Sequence, residues 1–311
     1  MKRLFYFVLL LVGVATLHSC KDLLDEDGNP LLDINTNTGL NGPRALYREI
    51  TDSDTLATYY YNGLQLSKVI TRGASVTDVQ FSGDKLSRIN FKGFLDSDND
   101  QVLDLDSTAY EQQFTYGNTG RLETISENRL VYNRTPALPP TVPAGPWVLL
   151  RKAKTIYRLV YSSTTSKLSK ITMTTGNEAP GTTFAETEYS ETTYEYSGDN
   201  VSKVVRSYGP IGAGNVWGPP VTKYGYEFSN YDSQISPYTL LPMAYKISVL
   251  LSTEINDYRS FILSPNNPSR YTVTDLMSPV PVPTVFSTNY NYDPQTYMKK
   301  GYGVNYIYKP L

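Results

Sequence analysis

Aromatic and polar side chains alternate with a period of two at several places along the chain, and each time a polar turn and a short β-branched run follow. The clearest copy runs from Tyr59 to Tyr61, turns at Asn62-Gly63, and continues through Leu66-Ser67-Lys68-Val69. This order is typical of a β-hairpin, because Asn and Gly tolerate the positive φ of tight turns. The pattern therefore predicts one hairpin per copy.

The unit occurs five times. The last aromatic residue of each copy is Tyr61, Phe81, Tyr116, Tyr161 or Tyr196, and the tetrads that follow begin at Leu66, Leu86, Leu122, Leu168 and Val201. Strict alternation would place Leu66 with Lys68 on one face and Ser67 with Val69 on the other. Both faces of the sheet are then expected to be partly covered.

The turns inside the units are short, whereas the connections between units are long and include residues 92–109, 133–150, 175–185 and 209–220. In an antiparallel meander, successive turns alternate ends, so all the long connections are expected at one end of the sheet. Variable loops held by a rigid scaffold commonly carry function. We therefore expect a binding site at that end.

The repeat stops after Tyr226. Apolar spacing predicts short helices over 240–252 and 254–263, the second stopped by Pro265 and Pro268. Strand patterns return at 271–274, 290–293 and 304–308. The predicted fold is mostly β, an antiparallel meander of tyrosine-rich hairpins in an extended or rolled sheet, with one or two short helices near 240–263.

The first twenty residues have the pattern of a bacterial lipoprotein signal peptide. Lys2 and Arg3 precede an apolar run that ends at Leu17, and the small Ser19 stands directly before Cys20. The predicted parts are a signal peptide over 1–19, an acidic tether over 20–45 that begins at lipidated Cys20, and a single β-rich repeat domain over 46–311. Cys20 would then hold the protein to a membrane through its lipid.

Lys21 to Asp27, directly after the anchor, resembles the acidic export signal of Bacteroidota surface lipoproteins. This predicts an outer-membrane lipoprotein at the cell surface. An ordinary solvated tether facing the periplasm is the alternative.

Composition removes several kinds of chemistry. Cleavage before Cys20 would remove His18, the one histidine, and Cys20 is the one cysteine, so Cys/His zinc sites and His-assisted nucleophiles are not expected. The chain has 28 Lys and Arg against 30 Asp and Glu, so its formal net charge is −2. It has no cluster of basic residues that would bind nucleic acid. The 27 tyrosines suit a sheet surface.

The tyrosine-rich hairpins resemble YD repeats, and residues 45–311 resemble Bacteroidota lipoproteins of the DUF4595 type. The segment Leu263-Ser264-Pro265-Asn266-Asn267-Pro268 is similar to a Ser-x-Asn-Asn element of that group. The resemblance implies an all-β surface or periplasmic protein and carries no catalytic residue with it.

An acidic loop gives one candidate metal site. Asp96, Asp98, Asp100 and Asp104 occupy positions 1, 3, 5 and 9 of a run that resembles a calcium loop. Gln101 stands where the sharp turn of an EF-hand requires Gly, and Ser107 stands where a bidentate Glu would close the site. The alternatives are a looser calcium site and a solvated acidic connection, and no other cofactor is expected.

The two tryptophans, Trp147 and Trp217, both lie in Pro/Gly-rich connections that the meander places at the same end of the sheet. Exposed there, they would offer stacking surfaces for a glycan or anchors for a protein partner. Ordinary packing over the sheet end is the alternative.

No catalytic residues are predicted. Glu186, Glu188, Glu191 and Glu195 are the acids from which a glycosidase pair would be drawn, but acids spaced along one strand are typical of a solvated face. The sequence thus favours a lipid-anchored envelope protein that binds a ligand, with a glycan as the first hypothesis. A structural protein that binds another envelope protein is the second hypothesis, and a carboxylate-based glycosidase is the least favoured.

Overall fold

The computed structural model describes residues 44–97, 102–135, 144–178, 181, 183–253 and 256–310. Besides two short 3-10 turns, Arg72–Ala74 and Ala213–Asn215, they form one α-helix, α1 (Met243–Leu251), and one longer 3-10 helix (Asn256–Leu263). They also form eighteen strands. The strands are β1 Arg44–Ile50, β2 Thr55–Asn62, β3 Gln65–Thr71, β4 Ser75–Ser82, β5 Lys85–Phe94, β6 Ser107–Tyr116, β7 Leu122–Asn133, β8 Val148–Tyr161, β9 Leu168–Asn177, β10 Glu188–Ser197, β11 Asn200–Gly212, β12 Val216–Trp217, β13 Thr222–Tyr231, β14 Pro268–Asp275, β15 Thr284–Ser287, β16 Asn291–Tyr292, β17 Met298–Gly301 and β18 Val304–Pro310.

The strands form one antiparallel sheet in which sequence neighbours pair, from β1 to β11 without interruption. Beyond β11 the sheet continues through β13 and β14 to β15, and beyond β1 it continues through β18 and β17 to β16. The predicted mostly β meander is confirmed, and so are the short helices near 240–263.

Each of the five predicted units is one hairpin: β2/β3, β4/β5, β6/β7, β8/β9 and β10/β11. Their turns lie at one end of the sheet, which we call the turn end. The strand ends that flank residues 51–54, 72–74, 95–106, 134–147, 178–187, 213–221 and 276–283 lie at the opposite end, which we call the loop end. The turns inside the units are thus separated from the connections between the units, as strict up-and-down order requires.

A β-bulge recurs in every unit, one residue into the tetrad. In the first hairpin Tyr60 lies opposite Lys68 but Tyr61 lies opposite Leu66, so Ser67 has no partner across the ladder. The same register shift recurs in the other four hairpins. The Ser67 hydroxyl donates to the Tyr60 carbonyl at 3.1 Å, and Ser87 and Ser169 do the same in their own units.

The bulge explains a difference from the expected alternation. Because the extra residue resets the pleat, Leu66 and Val69 both point into the core, while Lys68 is exposed. The first and fourth tetrad residues of the other units are buried in the same way. The expectation that Leu66 and Lys68 share a face was therefore wrong, and one face of these hairpins carries the core.

Two of the repeated tyrosines, Tyr116 and Tyr161, join consecutive units. Tyr116 donates its hydroxyl to the Leu86 carbonyl at 2.8 Å, and Tyr161 donates to the Leu122 carbonyl at 2.9 Å. The cation that precedes each of these leucines lies over the same ring, Lys85 over Tyr116 at 5.3 Å and Arg121 over Tyr161 at 5.6 Å. Burial raises the pKa of Tyr116 to about 12, so its hydroxyl remains a donor at neutral pH.

We expect Tyr161→Phe to lower the free energy of unfolding by about 1 kcal/mol, because it removes one hydrogen bond and leaves the Leu122 carbonyl without that donor. Chemical denaturation measures the loss. Tyr60→Phe is the matched control, since Tyr60 is 40% exposed on the outer face. Equal losses in the two variants would contradict a role of the Tyr161 hydroxyl in joining the units.

The sheet is rolled around the segment between β13 and β14, which carries both helices. From this insert, Ser248 donates to Gln112 on β6 at 2.6 Å, and Tyr238 donates to Glu49 on β1 at 3.3 Å. Asp257 pairs with Arg206 on β11 at 3.2 Å. Strands far apart in the sheet thus reach one insert with their inner faces, which decides between the extended and the rolled alternative.

The sheet edges β15 and β16 do not pair with each other among the described residues, so the roll is not closed by a ladder. Side chains bring its margins together instead. Tyr290 and Tyr302 both donate to the Pro268 carbonyl, at 2.6 and 2.9 Å, and the rings of Tyr271 and Tyr302 lie 5.3 Å apart.

The Ser-x-Asn-Asn element fastens the insert where it returns to the sheet. Ser264 accepts from the Val201 amide at 3.0 Å, and Asn266 exchanges hydrogen bonds with Asn200 at 3.2 Å. Asn267 donates to the Asp232 carboxylate at 3.3 Å. In this chain the element is structural.

The N-terminal predictions lie largely outside the described residues. The signal peptide, Cys20 and the tether up to residue 43 are not described, and Arg44 and Ala45 belong to β1 rather than to a tether. Within the described ranges, none of the helices has the length and apolar character needed to cross a membrane.

Candidate functional site

One cleft lies on the outer face of the sheet at the loop end. It has a volume of about 440 Å³ and is lined by the β3–β4 turn, by β4, β5 and the start of β6, and by Trp147. Asp78, Asn90 and Lys92 alternate along their strands with inward residues such as Val79 and Phe91, so they face outward into this cleft. The volume falls in the range of about 300–1,000 Å³ that is usual for small-molecule sites.

Trp147 stands at one side of this outer cleft and is 40% exposed. Its ring centroid lies 6.1 Å from that of Phe94, with the planes tilted by 49°. The Arg134 guanidinium lies 4.5 Å from the Trp147 centroid, a cation–π contact that holds the indole in place. The cleft therefore presents a positioned, partly exposed aromatic side chain.

The opposite wall depends on a glycine. Gly73 has φ of 67° in the β3–β4 turn, and a Cβ added there would lie 2.6 Å from a methyl group of Leu103. Because residue 73 has no side chain, the β5–β6 connection can pack directly against the turn. This contact fixes one border of the cleft.

The polar groups of the outer cleft are of both signs. Asp78 lies 3.6 Å from Lys68 in an exposed ion pair, and Asn90, Lys92 and Ser107 add donors and acceptors along the floor. Such groups beside an aromatic ring suit a ligand with hydroxyl groups and an apolar face.

Trp217 lies at the loop end too, as predicted, but in a different place. Its ring stacks on Tyr189 with centroids 4.2 Å apart and planes at 13°, and it remains 42% exposed. Tyr189 donates to the Gly218 carbonyl at 2.8 Å. Trp217 therefore packs over the outer face of β10, where the other side of its ring stays open.

The structure does not bring the two tryptophans together. Trp147 neighbours β5, whereas Trp217 neighbours β10, and five strand spacings amount to roughly 24 Å along the sheet. The two rings therefore do not form a single ligand site. The outer cleft includes Trp147 alone.

The acidic loop is only partly described. Asp98 and Asp100 lie outside the described residues, while Asp96 and Asp104 flank the gap, and the Asp104 amide donates to the Leu95 carbonyl at 2.7 Å. Among residues with described positions, no three carboxylate, His or Cys side chains are grouped as metal ligands. The calcium site stays a prediction.

The four glutamates of the alternative glycosidase pair do not converge. Glu188 lies on the inner face of β10, whereas Glu191 lies on the outer face and pairs with Lys170 at 2.9 Å. Glu186 accepts from Thr174 at 2.7 Å, and Glu195 is exposed. Glu188 and Glu191 thus point to opposite faces of the sheet.

Phe94, Asp78, Asn90 and Lys92 were missed by the sequence reasoning. The signal was present in part, since the alternation in β4 and β5 marks Asp78, Asn90 and Lys92 as outward-facing. What it lacks is the contact between Phe94, which ends β5, and Trp147, which directly precedes β8, because a whole hairpin separates these two strands.

The described fold and cleft define a rolled antiparallel β protein with an exposed aromatic site at one end. No protein-family model matches the chain, and neither does any curated protein sequence. Among solved structures, the chain is similar to a porin-like protein from Bacteroides vulgatus, with 10% identity and a TM-score of 0.44 over 86% of this chain and 100% of that one.

Proposed function

We propose that this chain is a lipid-anchored envelope protein of the outer membrane, of the Bacteroidota lipoprotein type, that binds a glycan in the outer cleft beside Trp147. The observation that supports the proposal most is the geometry of this cleft. It combines a held, 40% exposed indole with polar side chains over about 440 Å³. Sugar rings offer the matching chemistry, an apolar face and a rim of hydroxyls.

The direction of β1 bears on how a lipid anchor would orient the outer cleft. Arg44 begins β1 at the turn end, because β1 pairs with β18 and β2 and reaches the loop end at Ile50. A chain held through lipidated Cys20 would thus be attached at the turn end, and the outer cleft would lie at the far end. This arrangement presents the cleft away from the membrane.

A protein partner is the second candidate, and one observation favours it. Several large apolar side chains are exposed near the loop end, among them Leu105, Leu150, Val216 and Val280. Exposed apolar residues that gather at one end are typical of protein interaction sites. The glycan proposal ranks first because the outer cleft is concave and has polar groups.

The test is binding of the purified full-length chain to an array of plant, host and microbial glycans, with Trp147→Ala and Trp217→Ala measured separately. We expect Trp147→Ala to weaken a positive interaction about tenfold or more, because the indole forms one side of the cleft. Trp217→Ala is the matched control, equally exposed at the same end but outside the cleft, and should leave affinity unchanged.

Two outcomes would count against the proposal. One is a glycan interaction that folded Trp147→Ala retains in full. The other is silence across the array together with a specific protein cross-linked to the loop end on intact cells, which would favour the second candidate.

A further inference from the structure

The inside of the roll changes character along its length. Near the turn end the inward residues of β7 to β11 are apolar, including Ile125, Leu159, Ile171 and Val204. Near the loop end the same strands turn polar side chains inward, and with the end of α1 these line a partly open cavity of about 80 Å³. We call it the inner cavity; its polar lining includes Glu127, Arg129, Arg151, Glu188, Arg206 and Thr253.

Arg129 is held in place but not fully satisfied. Its Nε donates to Glu127 Oε1 at 2.7 Å, and its Nη1 donates to the Ser252 carbonyl at 2.9 Å. Its Nη2 is buried and has no hydrogen-bond partner among the described residues. The fixed guanidinium therefore has an unused donor edge at the inner cavity.

Thr253 is the second unsatisfied group. The residue is 8% exposed, and its Oγ1 is buried without a hydrogen-bond partner in the described part of the chain. Both residues line the same cavity. Buried polar groups are nearly always satisfied, so two unused ones beside one cavity indicate a bound group that accepts hydrogen bonds.

Charge limits what that group can be. Arg129 is paired with Glu127, and Arg206 is paired with Asp257 at 3.2 Å. Arg151 is exposed at the border of the cavity, where Glu188 is half-buried. A guanidinium has five donors and can share its edges between two carboxylates, but nothing here compensates a dianion.

We propose that the inner cavity binds the carboxylate of a small organic acid, with Arg129 Nη2 and Thr253 Oγ1 donating to it. The cavity holds the carboxylate itself, and the remainder of the ligand extends past Arg151 toward the loop end. The site is independent of the outer cleft, which lies on the other face of the sheet.

The test is the thermal midpoint of the full-length chain at constant ionic strength with acetate, D-glucuronate, inorganic phosphate or D-glucose, followed by calorimetric titration. Acetate and D-glucuronate should raise the midpoint, because a ligand that binds only the folded state stabilises it. Phosphate and D-glucose should not.

Thr253→Val keeps the shape of the side chain and removes the donor, so it should weaken acetate binding about tenfold. Thr172→Val, on the outer face of β9, is the matched control and should bind as the parent does. Trp147→Ala should also leave acetate binding unchanged, which separates this site from the proposed glycan cleft.

Three results would overturn the proposal. No response to either carboxylate would mean that water alone fills the inner cavity. An equal response to phosphate would mean a general anion site. Binding that survives Thr253→Val undiminished would place the carboxylate elsewhere.

Discussion

Arg206→Met is expected to lower the free energy of unfolding by about 3–5 kcal/mol, because it leaves the buried Asp257 carboxylate without its cation. Met retains most of the length of the arginine stem, so the loss reports charge more than volume. Equilibrium denaturation at pH 7 measures it. Lys68→Met is the matched control, since Lys68 and Asp78 form an exposed pair and should cost less than about 1 kcal/mol.

The loss should depend on pH in a definite direction. Burial raises the pKa of Asp257, and the charge of Arg206 and its hydrogen bond act against this rise. Without Arg206 the pKa of Asp257 rises further. At pH values between the unfolded and the folded pKa, the folded variant therefore keeps a proton on Asp257 that the unfolded chain has released. The variant should therefore lose stability from about pH 4 upward, and its deficit should be smaller at pH 5 than at pH 8.

A second variant separates an unpaired charge from a general packing defect. Arg206→Met/Asp257→Leu removes both charges and should recover most of the lost stability. Equal losses in Arg206→Met and Lys68→Met, or a deficit that does not change with pH, would contradict the buried-charge explanation.

Lys246→Met is expected to stabilise the protein by about 1–3 kcal/mol at pH 7. Lys246 is 6% exposed on α1 inside the roll, and burial lowers its pKa from 10.5 to about 8. At pH values where Lys246 is charged in both the folded and the unfolded chain, a change in pKa of this size destabilises the folded state by about 3 kcal/mol. Met fills similar space without a charge to desolvate.

The pH dependence checks the sign. Between pH 8 and 10.5 the folded chain binds fewer protons at Lys246 than the unfolded chain does, so wild-type stability should rise with pH in that window. The advantage of Lys246→Met should be complete below pH 8 and shrink above it. Lys92→Met, an exposed lysine on β5, should change stability by no more than about 0.5 kcal/mol at any of these pH values. A constant difference between Lys246→Met and wild type from pH 7 to 9.5 would contradict the explanation.

The hairpins could be predicted because their information is local. A Tyr pair at i and i+2, an Asn-Gly or Ser-Gly-Asp turn and a tetrad specify two strands and the turn between them. The collection of the connections between units at one end followed from counting strands. The bulge at Ser67 is also local, but a regular period of two does not predict it. The face predicted for Lys68 was therefore wrong.

The centre of the roll could not be predicted in the same way. Apolar spacing indicated the helices, but their position inside the sheet depends on contacts such as Ser248 with Gln112, which are 136 residues apart. In the sequence, Arg129 and Arg206 look like ordinary strand residues. Only the rolled sheet brings both side chains to the inner cavity. Likewise Trp147 was named as a candidate binding residue at the loop end, with exposure and ordinary packing both left open, whereas Phe94 and the rest of its cleft required the register of three hairpins.

The contacts that the tyrosines make have an implication for how such a domain changes size. Tyr116 and Tyr161 each fasten a hairpin to the one before it, and the bulged serines act within a single hairpin. The hairpins β6/β7 and β8/β9 thus each carry the contact that joins them to the hairpin before, so either could be gained or lost by duplication or deletion without a new kind of contact. The limit is set at the centre, because a longer circumference needs a thicker insert to fill it. The number of hairpins and the size of the helical insert are therefore expected to change together.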